Sequence, residues 1–377
     1  MKRGLTLAAL FLFVVMPATA SATPRTDRAD ATLDRALASL PAMRGGPPGV
    51  IATVQRGSVQ RVFSHGVADL SSRRQIDAGD RWKIASVTKA FAGAAALKLV
   101  QAGDLSLDDT IAKRLPSLPA AWGKVTLAQA MHHTSGLPDF TRAEAFGKLA
   151  LSRRPAEAAT LVGMVADQPL VFAPDSRYEY SNTDNVVVGM FVEAATGLSF
   201  ERVLDELVLD PLALRRTTMP LGVRMPAPVV HGYDNNATGR RDDVSELLNS
   251  SIVWASGGMT SSPLDLGTFV RAYAGGKLFG GATRAAQLQF VAGRSDPPGP
   301  GTNAAGLSIF RYRTRCGTVY GHTGNIFGYT TFIAATADGR RSATIQVSTQ
   351  LTLGNGVQAT FRAFRNATEL AVCAALA

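Results

Sequence analysis

The sequence predicts an α+β fold: one antiparallel sheet flanked by helices, with a mostly helical subdomain inserted between its strands. Two paired strands are expected early in the chain, at 50–54 and 59–64, on either side of a turn at Arg56-Gly57. Alternating, β-branched segments return near the end of the chain, at 317–322, 328–337 and 342–349. Because the intervening sequence is rich in helical segments broken by proline and glycine, we expect both ends to share the sheet.

These segments predict a sheet region at 31–103 and 302–377 and a helical subdomain at 104–301, which together are expected to form one unit overall. The most convincing helix is 86–102, which is rich in alanine and leucine and is followed by Gly103 as a C-terminal stop. Since this helix is apolar almost all round, it should be buried. Further helices are predicted at 31–42, 185–196 and 356–375, and a loop at 292–304.

The first 22 residues have the pattern of a signal peptide. Lys2 and Arg3 precede an apolar run at 5–15, and small residues follow at 18–22. A membrane anchor is the alternative, but the run is too short to span a bilayer and no stop-transfer segment follows it. We therefore expect a secreted or periplasmic protein without stable membrane insertion.

The composition, 46% hydrophobic and 18% charged over 377 residues, is that of an ordinary globular protein. The net charge is +10, but the basic residues are scattered and no basic helix carries interleaved aromatics, which argues against nucleic-acid binding. The sequence has no HExxH, paired CxxC, Walker A or GxGxxG motif, so neither a metal nor a nucleotide cofactor is expected. Cys316 and Cys373 predict one disulfide in an exported protein, with two buried free thiols as the alternative.

The first candidate catalytic motif is Ser86-Val-Thr-Lys89. On a helix, positions i and i+3 share a face, so Lys89 can approach the Ser86 hydroxyl. A helix N-terminus at Ser86 would direct backbone N–H groups at a developing oxyanion, and burial would lower the pKa of the lysine and make it a candidate base. A capping serine and a lysine that reaches to solvent are the alternative.

The second motif is Tyr180-Ser-Asn182. In an extended chain, positions i and i+2 point the same way, so the phenol and the amide would face one cleft. The tyrosine could then relay protons and the amide could hold a substrate. A core tyrosine before a helix cap is the alternative. A second match, Tyr233-Asp-Asn235, is expected to lie in a surface loop.

The third motif is His322-Thr-Gly324, at the end of a predicted strand. The glycine would let a ligand backbone approach the strand closely, while His322 could steady a proton network and Thr323 could bind a carboxylate. A satisfied histidine at a hairpin is the alternative, and it is favoured for this motif alone. His132 and His133 are expected to cap and pack a turn.

In this order, the three motifs resemble those of the serine β-lactamase and penicillin-binding protein superfamily, most closely the secreted D-alanyl-D-alanine carboxypeptidases related to class C β-lactamases. Class C enzymes usually carry Lys-Thr-Gly as the third motif, whereas some of these carboxypeptidases carry His-Thr-Gly. The resemblance implies a β-lactamase/transpeptidase-like fold. It covers RWKIASVTKAF, GDLSLDD, HHTSGLPD, YEYSNTDNVVVG, WASGGMTSSPLDL and CGTVYGHTGNIFGYTT.

The resemblance also implies roles for single residues. Ser86 would be the acylated nucleophile, and Lys89 and Tyr180 would share proton transfer, with the base of the acylation step left open. Asn182 would contact the substrate. Trp254 could wall the pocket, and a plain core tryptophan is the alternative.

The segment around the third motif would complete the site. The backbone N–H groups of Ser86 and Asn325 would form the oxyanion hole, and Thr323 would contact the substrate. Carboxypeptidases of this kind are expected to bind the terminal carboxylate with an upstream arginine. The upstream stretch here is Ile309-Phe-Arg-Tyr-Arg313, in which a one-residue shift of register decides which side chain faces the cleft, and Arg311 is the candidate. They also carry a hydroxyl residue where this chain has Asn325, so carboxylate specificity is in question.

We therefore expect an exported serine hydrolase that forms an acyl-enzyme with a small peptide or peptidoglycan substrate and is acylated by β-lactams. D-alanyl-D-alanine carboxypeptidase activity is the first hypothesis: Ser86 attacks the penultimate carbonyl, D-alanine leaves and water completes the hydrolysis. One alternative is an esterase or class C-like β-lactamase of the same fold. Another is a non-catalytic penicillin-binding or sensor module, against which the retained Ser86, Lys89 and Tyr180 argue.

Overall fold

A computed structural model describes residues 24–235, 240–352 and 358–377. The predicted signal peptide lies outside the described residues. Within them the strands are β1 (Gly49–Arg56), β2 (Val59–Gly66), β3 (Trp82–Lys83), β4 (Tyr233–Asn235), β5 (Arg241–Asp243), β6 (Thr260–Ser261), β7 (Val291–Ala292), β8 (Thr302–Gly306), β9 (Ile309–Thr314), β10 (Gly317–Ile326), β11 (Tyr329–Ala335) and β12 (Arg341–Val347).

The helices of the same ranges are α1 (Pro24–Ser39), α2 (Thr88–Ala102), α3 (Ile111–Arg114), α4 (Leu127–His132), α5 (Glu144–Ser152), α6 (Ala158–Gly163), α7 (Asn182–Thr196), α8 (Phe200–Leu204), α9 (Trp254–Gly257), α10 (Pro263–Ala274), α11 (Gly281–Gln287) and α12 (Gln358–Leu376). In this described part of the chain, no helix is both long and apolar enough to cross a bilayer.

Eight strands form one antiparallel sheet in the order β2-β1-β12-β11-β10-β9-β8-β7. The two ends of the chain meet where β1 pairs with β12, with Val54 opposite Ala343. The predicted α+β fold, with both ends in one antiparallel sheet, is therefore confirmed. The central strands β11 and β12 are buried along almost their whole length, because helices cover both faces of the sheet.

One face of the sheet is covered by α1 and α12. Leu33 and Leu37 of α1, together with Phe361 and Phe364 of α12, are buried against apolar side chains of the central strands. The Cys316–Cys373 disulfide, with 5.1 Å between the two Cα atoms, ties the β9–β10 turn to α12. The predicted disulfide is thus confirmed.

The other face is covered by α2 and α10. Helix α2 is buried almost throughout, and the ring of Phe91 stacks on Phe269 of α10 with centroids 3.6 Å apart. Gly103, with a φ of 88°, ends α2 in the left-handed conformation expected of a C-terminal glycine. Because α10 packs on β1, β11 and β12, the helical stretch shares its core with the sheet.

Three predictions differ from the structure: the start of the first helix, the length of one loop and the setting of Tyr233. The first helix begins at Pro24, where Asp27 suits the positive end of the helix dipole, and not at 31. The predicted loop at 292–304 is shortened, because β7 and β8 extend into both of its ends. Tyr233 lies in β4 with only 5% of its surface exposed, and its hydroxyl donates to Asp69, so it is not part of a surface loop.

Candidate active site

Ser86 lies in a single 3-10 turn, Ala85–Val87, that leads directly into α2. Ala85 has a φ of 48°, a conformation that is uncommon for a residue other than glycine. Strand β10 approaches this turn so closely that a Cβ at Gly324 would lie 2.2 Å from the Ile84 carbonyl oxygen and 3.1 Å from the Ser86 nitrogen. Glycine at position 324 therefore leaves room for the turn that carries Ser86, and not for a ligand as the sequence suggested.

Lys89 is fully buried one helical turn beyond Ser86, and its Nζ lies 3.1 Å from the Ser86 Oγ. Nζ also donates to the Asn182 Oδ1 at 2.8 Å and to the Ser256 carbonyl oxygen at 2.7 Å. Burial lowers the pKa of Lys89 to about 7. A neutral amine has two hydrogens, and these two oxygens accept both, so its lone pair is left for the Ser86 hydroxyl.

The Tyr180 ring lies against the same amine, with Nζ 4.9 Å from the ring centroid. Burial raises the pKa of the phenol well above 10, while the neighbouring Ser86 hydroxyl opposes this shift. The two hydroxyls are thus close, although no hydrogen bond of ordinary geometry joins them. Tyr180 therefore keeps its proton at neutral pH and can donate it, whereas Lys89 can accept one.

Asn182, the first residue of α7, bridges the Lys89 amine and the Asp139 carboxylate. Its Oδ1 accepts from Lys89, and its Nδ2 donates to the Asp139 Oδ2 at 3.1 Å. Because a carboxylate only accepts and the amine here donates, the amide can adopt one orientation only. The sequence did not identify Asp139, although it ends the HHTSGLPD segment that carried part of the resemblance.

A buried hydrogen-bond network of His133, Asp184 and Ser135 packs against the ring of Tyr180 through His133. The His133 Nδ1 lies 2.8 Å from the Asp184 Oδ2, and the Ser135 hydroxyl donates to the other oxygen of the same carboxyl group. The His133 ring is tilted against that of Tyr180, with centroids 4.4 Å apart. His133 does cap α4, with a φ of 58°, as the sequence predicted; its contact with Tyr180 was not predicted.

His322 and Thr323 are both buried, and neither hydrogen-bond donor is free. The His322 Nδ1–H donates to the Thr323 carbonyl oxygen, and burial lowers the pKa of the imidazole to about 3, so it is neutral. The Thr323 hydroxyl donates to the Pro297 carbonyl oxygen at 2.7 Å. Since a hydroxyl has one hydrogen, Thr323 offers only lone pairs to further partners in this arrangement.

Asn325 lines the same cavity as Ser86, but its side chain is occupied, since Nδ2 donates to the Leu351 carbonyl oxygen at 2.9 Å. Arg311 is not brought to the cleft. It lies opposite Tyr320 in the β9–β10 ladder, and its guanidinium stacks on Phe290 at 4.6 Å from the ring centroid. The register therefore places Arg311 in an aromatic cluster, outside the residues that line the two cavities beside Tyr180 and Ser86.

Trp254 has the surroundings of the alternative reading, a tryptophan packed in the core. Its indole Nε1–H donates to the Glu201 Oε1 at 2.8 Å, and its ring packs edge-on against Phe200. It borders a separate cavity whose lining does not include Ser86. Trp254 is thus a packed tryptophan whose backbone leads to Ser256, the carbonyl partner of Lys89.

Two cavities meet at Asn182. The smaller, about 260 Å³, contains Ser86 and Asn325 among apolar side chains. The larger, about 1190 Å³, extends past Tyr180 toward α12. Across the described ranges, no group of three or more histidine, cysteine or acidic side chains is arranged to hold a metal ion.

A serine beside a buried lysine of lowered pKa, a protonated tyrosine and a bridging asparagine define a serine hydrolase of the β-lactamase and penicillin-binding protein superfamily. A family model described as Beta-lactamase matches residues 30–366, and the chain belongs to this family.

Curated relatives match over about half of this chain. A D-aminopeptidase of Cereibacter sphaeroides is 30% identical over 207 residues, which are 54% of this chain and 39% of the relative. Penicillin-binding protein 4* of Bacillus subtilis is 26% identical over 171 residues, 45% of this chain and 37% of the relative. The matched part thus spans about two fifths of the length of these relatives.

Solved structures match over most of the chain. A D-stereospecific amidohydrolase from Streptomyces sp. has a TM-score of 0.75 and 30% identity, covering 85% of this chain and 94% of that one. The D-amino acid amidase from Ochrobactrum anthropi SV3 has a TM-score of 0.80, with 92% of this chain and 98% of that one covered. At 23% identity, the second likeness shows the fold alone.

Proposed function

We propose that this chain hydrolyses the amide bond of a D-amino acid that has a free α-amino group, as an aminopeptidase or amidase, through an acyl-enzyme on Ser86. The observation that carries the proposal is the Ser86–Lys89 pair, in which a buried amine of lowered pKa faces the hydroxyl at 3.1 Å. The D-stereospecific amidohydrolase and the D-aminopeptidase among the relatives support the substrate class.

In the proposed reaction, neutral Lys89 takes the Ser86 proton while Oγ attacks the substrate carbonyl carbon. The backbone N–H groups of Ser86 and Asn325 stabilise the resulting oxyanion. Tyr180 donates its proton to the leaving nitrogen as the C–N bond breaks, and Lys89 passes its proton to the phenolate. Water then hydrolyses the ester, which releases the D-amino acid and restores the serine.

D-alanyl-D-alanine carboxypeptidase activity, the first hypothesis from the sequence, is the second candidate. Arg294 and Arg362 favour it, because both line the larger cavity and have no partner among the described side chains. Against it, the two side chains expected at a terminal carboxylate, Thr323 and Arg311, are engaged elsewhere, and Asn325 stands where a hydroxyl residue is expected. We therefore rank recognition of an amino terminus above recognition of a carboxyl terminus.

A substrate panel tests the choice. Initial rates are compared for D- and L-alanine p-nitroanilide, D-phenylalaninamide, diacetyl-L-lysyl-D-alanyl-D-alanine, a neutral ester and nitrocefin. We expect hydrolysis of the D-amides with a free amine, and at least roughly tenfold lower kcat/KM for the L-enantiomer. Ser86→Ala should abolish it, whereas Ser181→Ala is the matched control, because the Ser181 hydroxyl is buried without a hydrogen-bond partner in the described structure.

The other outcomes separate the alternatives. D-Alanine release from the diacetylated peptide, without turnover of the D-amides, would establish the carboxypeptidase. Turnover of nitrocefin or the ester alone would indicate a β-lactamase or esterase. A lasting β-lactam adduct without any turnover would indicate a penicillin-binding module.

The site of action is proposed to be outside the cytoplasm, in the periplasm or the medium. The support is the sequence pattern of residues 1–22. Fractionation of cells that express the full chain, with N-terminal sequencing of the product, would test it. A product that keeps its first residues and stays in the cytoplasm would contradict it.

A further inference from the structure

The loop between β7 and β8 forms one wall of the larger cavity and carries an unusual carboxylate. Asp296 is exposed and lines this cavity together with Tyr180 and Asn182. Within the described part of the chain, Asp296 has no hydrogen-bond or ion-pair partner. An unpaired carboxylate beside a catalytic tyrosine is available to a ligand.

The backbone of this loop is held in place on either side of Asp296. Ser295 and Pro297, on either side of Asp296, are buried. The Pro297 carbonyl oxygen accepts from the Thr323 hydroxyl at 2.7 Å. Arg365 of α12 donates to two further carbonyl oxygens of the loop, at 2.9 and 2.8 Å. The backbone around Asp296 is thus tied to β10 and α12 before a substrate arrives, which reduces the ordering that binding requires.

The remaining acidic groups of the cavity are already satisfied. Asp139 accepts hydrogen bonds from Asn182 and from the Thr141 hydroxyl and backbone N–H. Glu179 pairs with two arginines. The cavity is lined by the following charged residues: Asp139, Arg142, Glu179, Arg294, Asp296, Arg362 and Arg365. Among them Asp296 is the acceptor that remains free next to the catalytic groups.

We propose that Asp296 binds the α-ammonium group of the substrate and so selects substrates with a free amino terminus. A carboxylate offers only acceptors and an ammonium group only donors, so the two are complementary, and the same charge repels a substrate carboxylate. The negative charge of Asp296 is close enough to act on Lys89 and Tyr180, since it raises the pKa of both groups. This inference rests on the proposed function and names its specificity determinant.

The test compares D-alanine p-nitroanilide with N-acetyl-D-alanine p-nitroanilide, which lacks the ammonium group. Asp296→Asn should lower kcat/KM for the free amine by about 10- to 100-fold, mainly through KM, and change the acetylated substrate by less than about twofold. Asp296→Glu should retain part of the preference. Glu179→Gln is the matched control, because this carboxylate borders the same cavity but is already paired, and it should leave both rates within about twofold.

Calorimetry measures substrate binding without turnover, so it tests this inference separately from the proposed reaction. In the Ser86→Ala background, binding of D-phenylalaninamide should weaken by a similar factor when Asp296 is replaced, whereas binding of its N-acetyl derivative should not. Equal losses for charged and acetylated substrates would overturn the inference, because Asp296 would then act through Lys89. Unchanged rates and affinities would overturn it as well. If the amide binds through Asp296 but is never hydrolysed, the proposed function fails and this inference stands.

Discussion

The protonation state of Lys89 is the property of the site that a pH change perturbs most directly. Burial lowers its pKa to about 7 in the folded protein, compared with about 10.4 in an exposed lysine. In the proposed reaction Lys89 takes the Ser86 proton, and for that step it must be neutral. Activity should therefore be present above pH 7 and be lost as the pH falls through 7.

The magnitude follows from the neutral fraction. With a pKa of about 7, about 90% of Lys89 is neutral at pH 8 and about 1% at pH 5, so kcat/KM should fall about 90-fold between these values. An unperturbed lysine would instead give a rate that still rises above pH 9. The difference between the two cases is large enough to be measured in a single profile.

The assay is kcat/KM for a neutral N-acetylated ester from pH 5 to 9, so that the substrate itself does not titrate. Burial keeps His322 neutral with a pKa of about 3, lowers the pKa of His133 and raises that of Tyr180, so these groups should hold their state across the range. The pKa of Asp184 is raised by burial, so Asp184→Asn is the control, and it should leave the acidic limb in place.

Two results would refute this reasoning. An acidic limb with its midpoint above pH 9 would mean that Lys89 is charged in the free enzyme and that another group is the base. A limb that disappears in Asp184→Asn would assign the titration to the buried carboxyl group. Thermal melts at each pH ensure that the loss of rate is not a loss of fold.

Three substitutions probe other parts of the account. Tyr180→Phe should lower kcat/KM for amides by roughly 100-fold but affect activated esters less, because their leaving group needs no proton; equal losses would contradict its donor role. Gly324→Ala should reduce the acylation rate at least roughly tenfold, because its Cβ would lie 2.2 Å from the Ile84 carbonyl oxygen, and a wild-type rate in stopped-flow would argue against this close contact. Cys373→Ala opens a loop with a sequence separation of 57 residues and should lower the free energy of unfolding by about 4 kcal/mol in urea titrations; a loss below about 1 kcal/mol would contradict the chain-entropy argument.

Local patterns were sufficient for most of the fold. The β-branched residues of β10 to β12 and the apolar composition of α2 match the extensive burial of these segments. The helical spacing of Ser86 and Lys89 likewise predicted their contact correctly. Tyr233 was wrongly assigned to a surface loop because its neighbours in the sequence are polar. Its burial depends on a hydrogen bond to Asp69, which is far away in the sequence.

The parts of the site that were not predicted depend on long-range contacts. The tertiary fold brings Asp139 to Asn182 and Ser256 to Lys89, so no local sequence pattern predicts either contact. The packing of Arg311 against Phe290 was not predicted, because strand register, which sequence does not give, decides which face a side chain occupies.

The central claim is that Ser86 carries an acyl group during turnover. The most direct measurement is rapid-quench mass spectrometry of the purified protein with a D-amino acid ester, followed by peptide mapping of the adduct. We predict a transient mass increase on the peptide that contains Ser86, formed and lost at rates consistent with kcat, and none in Ser86→Ala. Turnover without any covalent intermediate, or an adduct that persists on another residue in Ser86→Ala, would contradict the account.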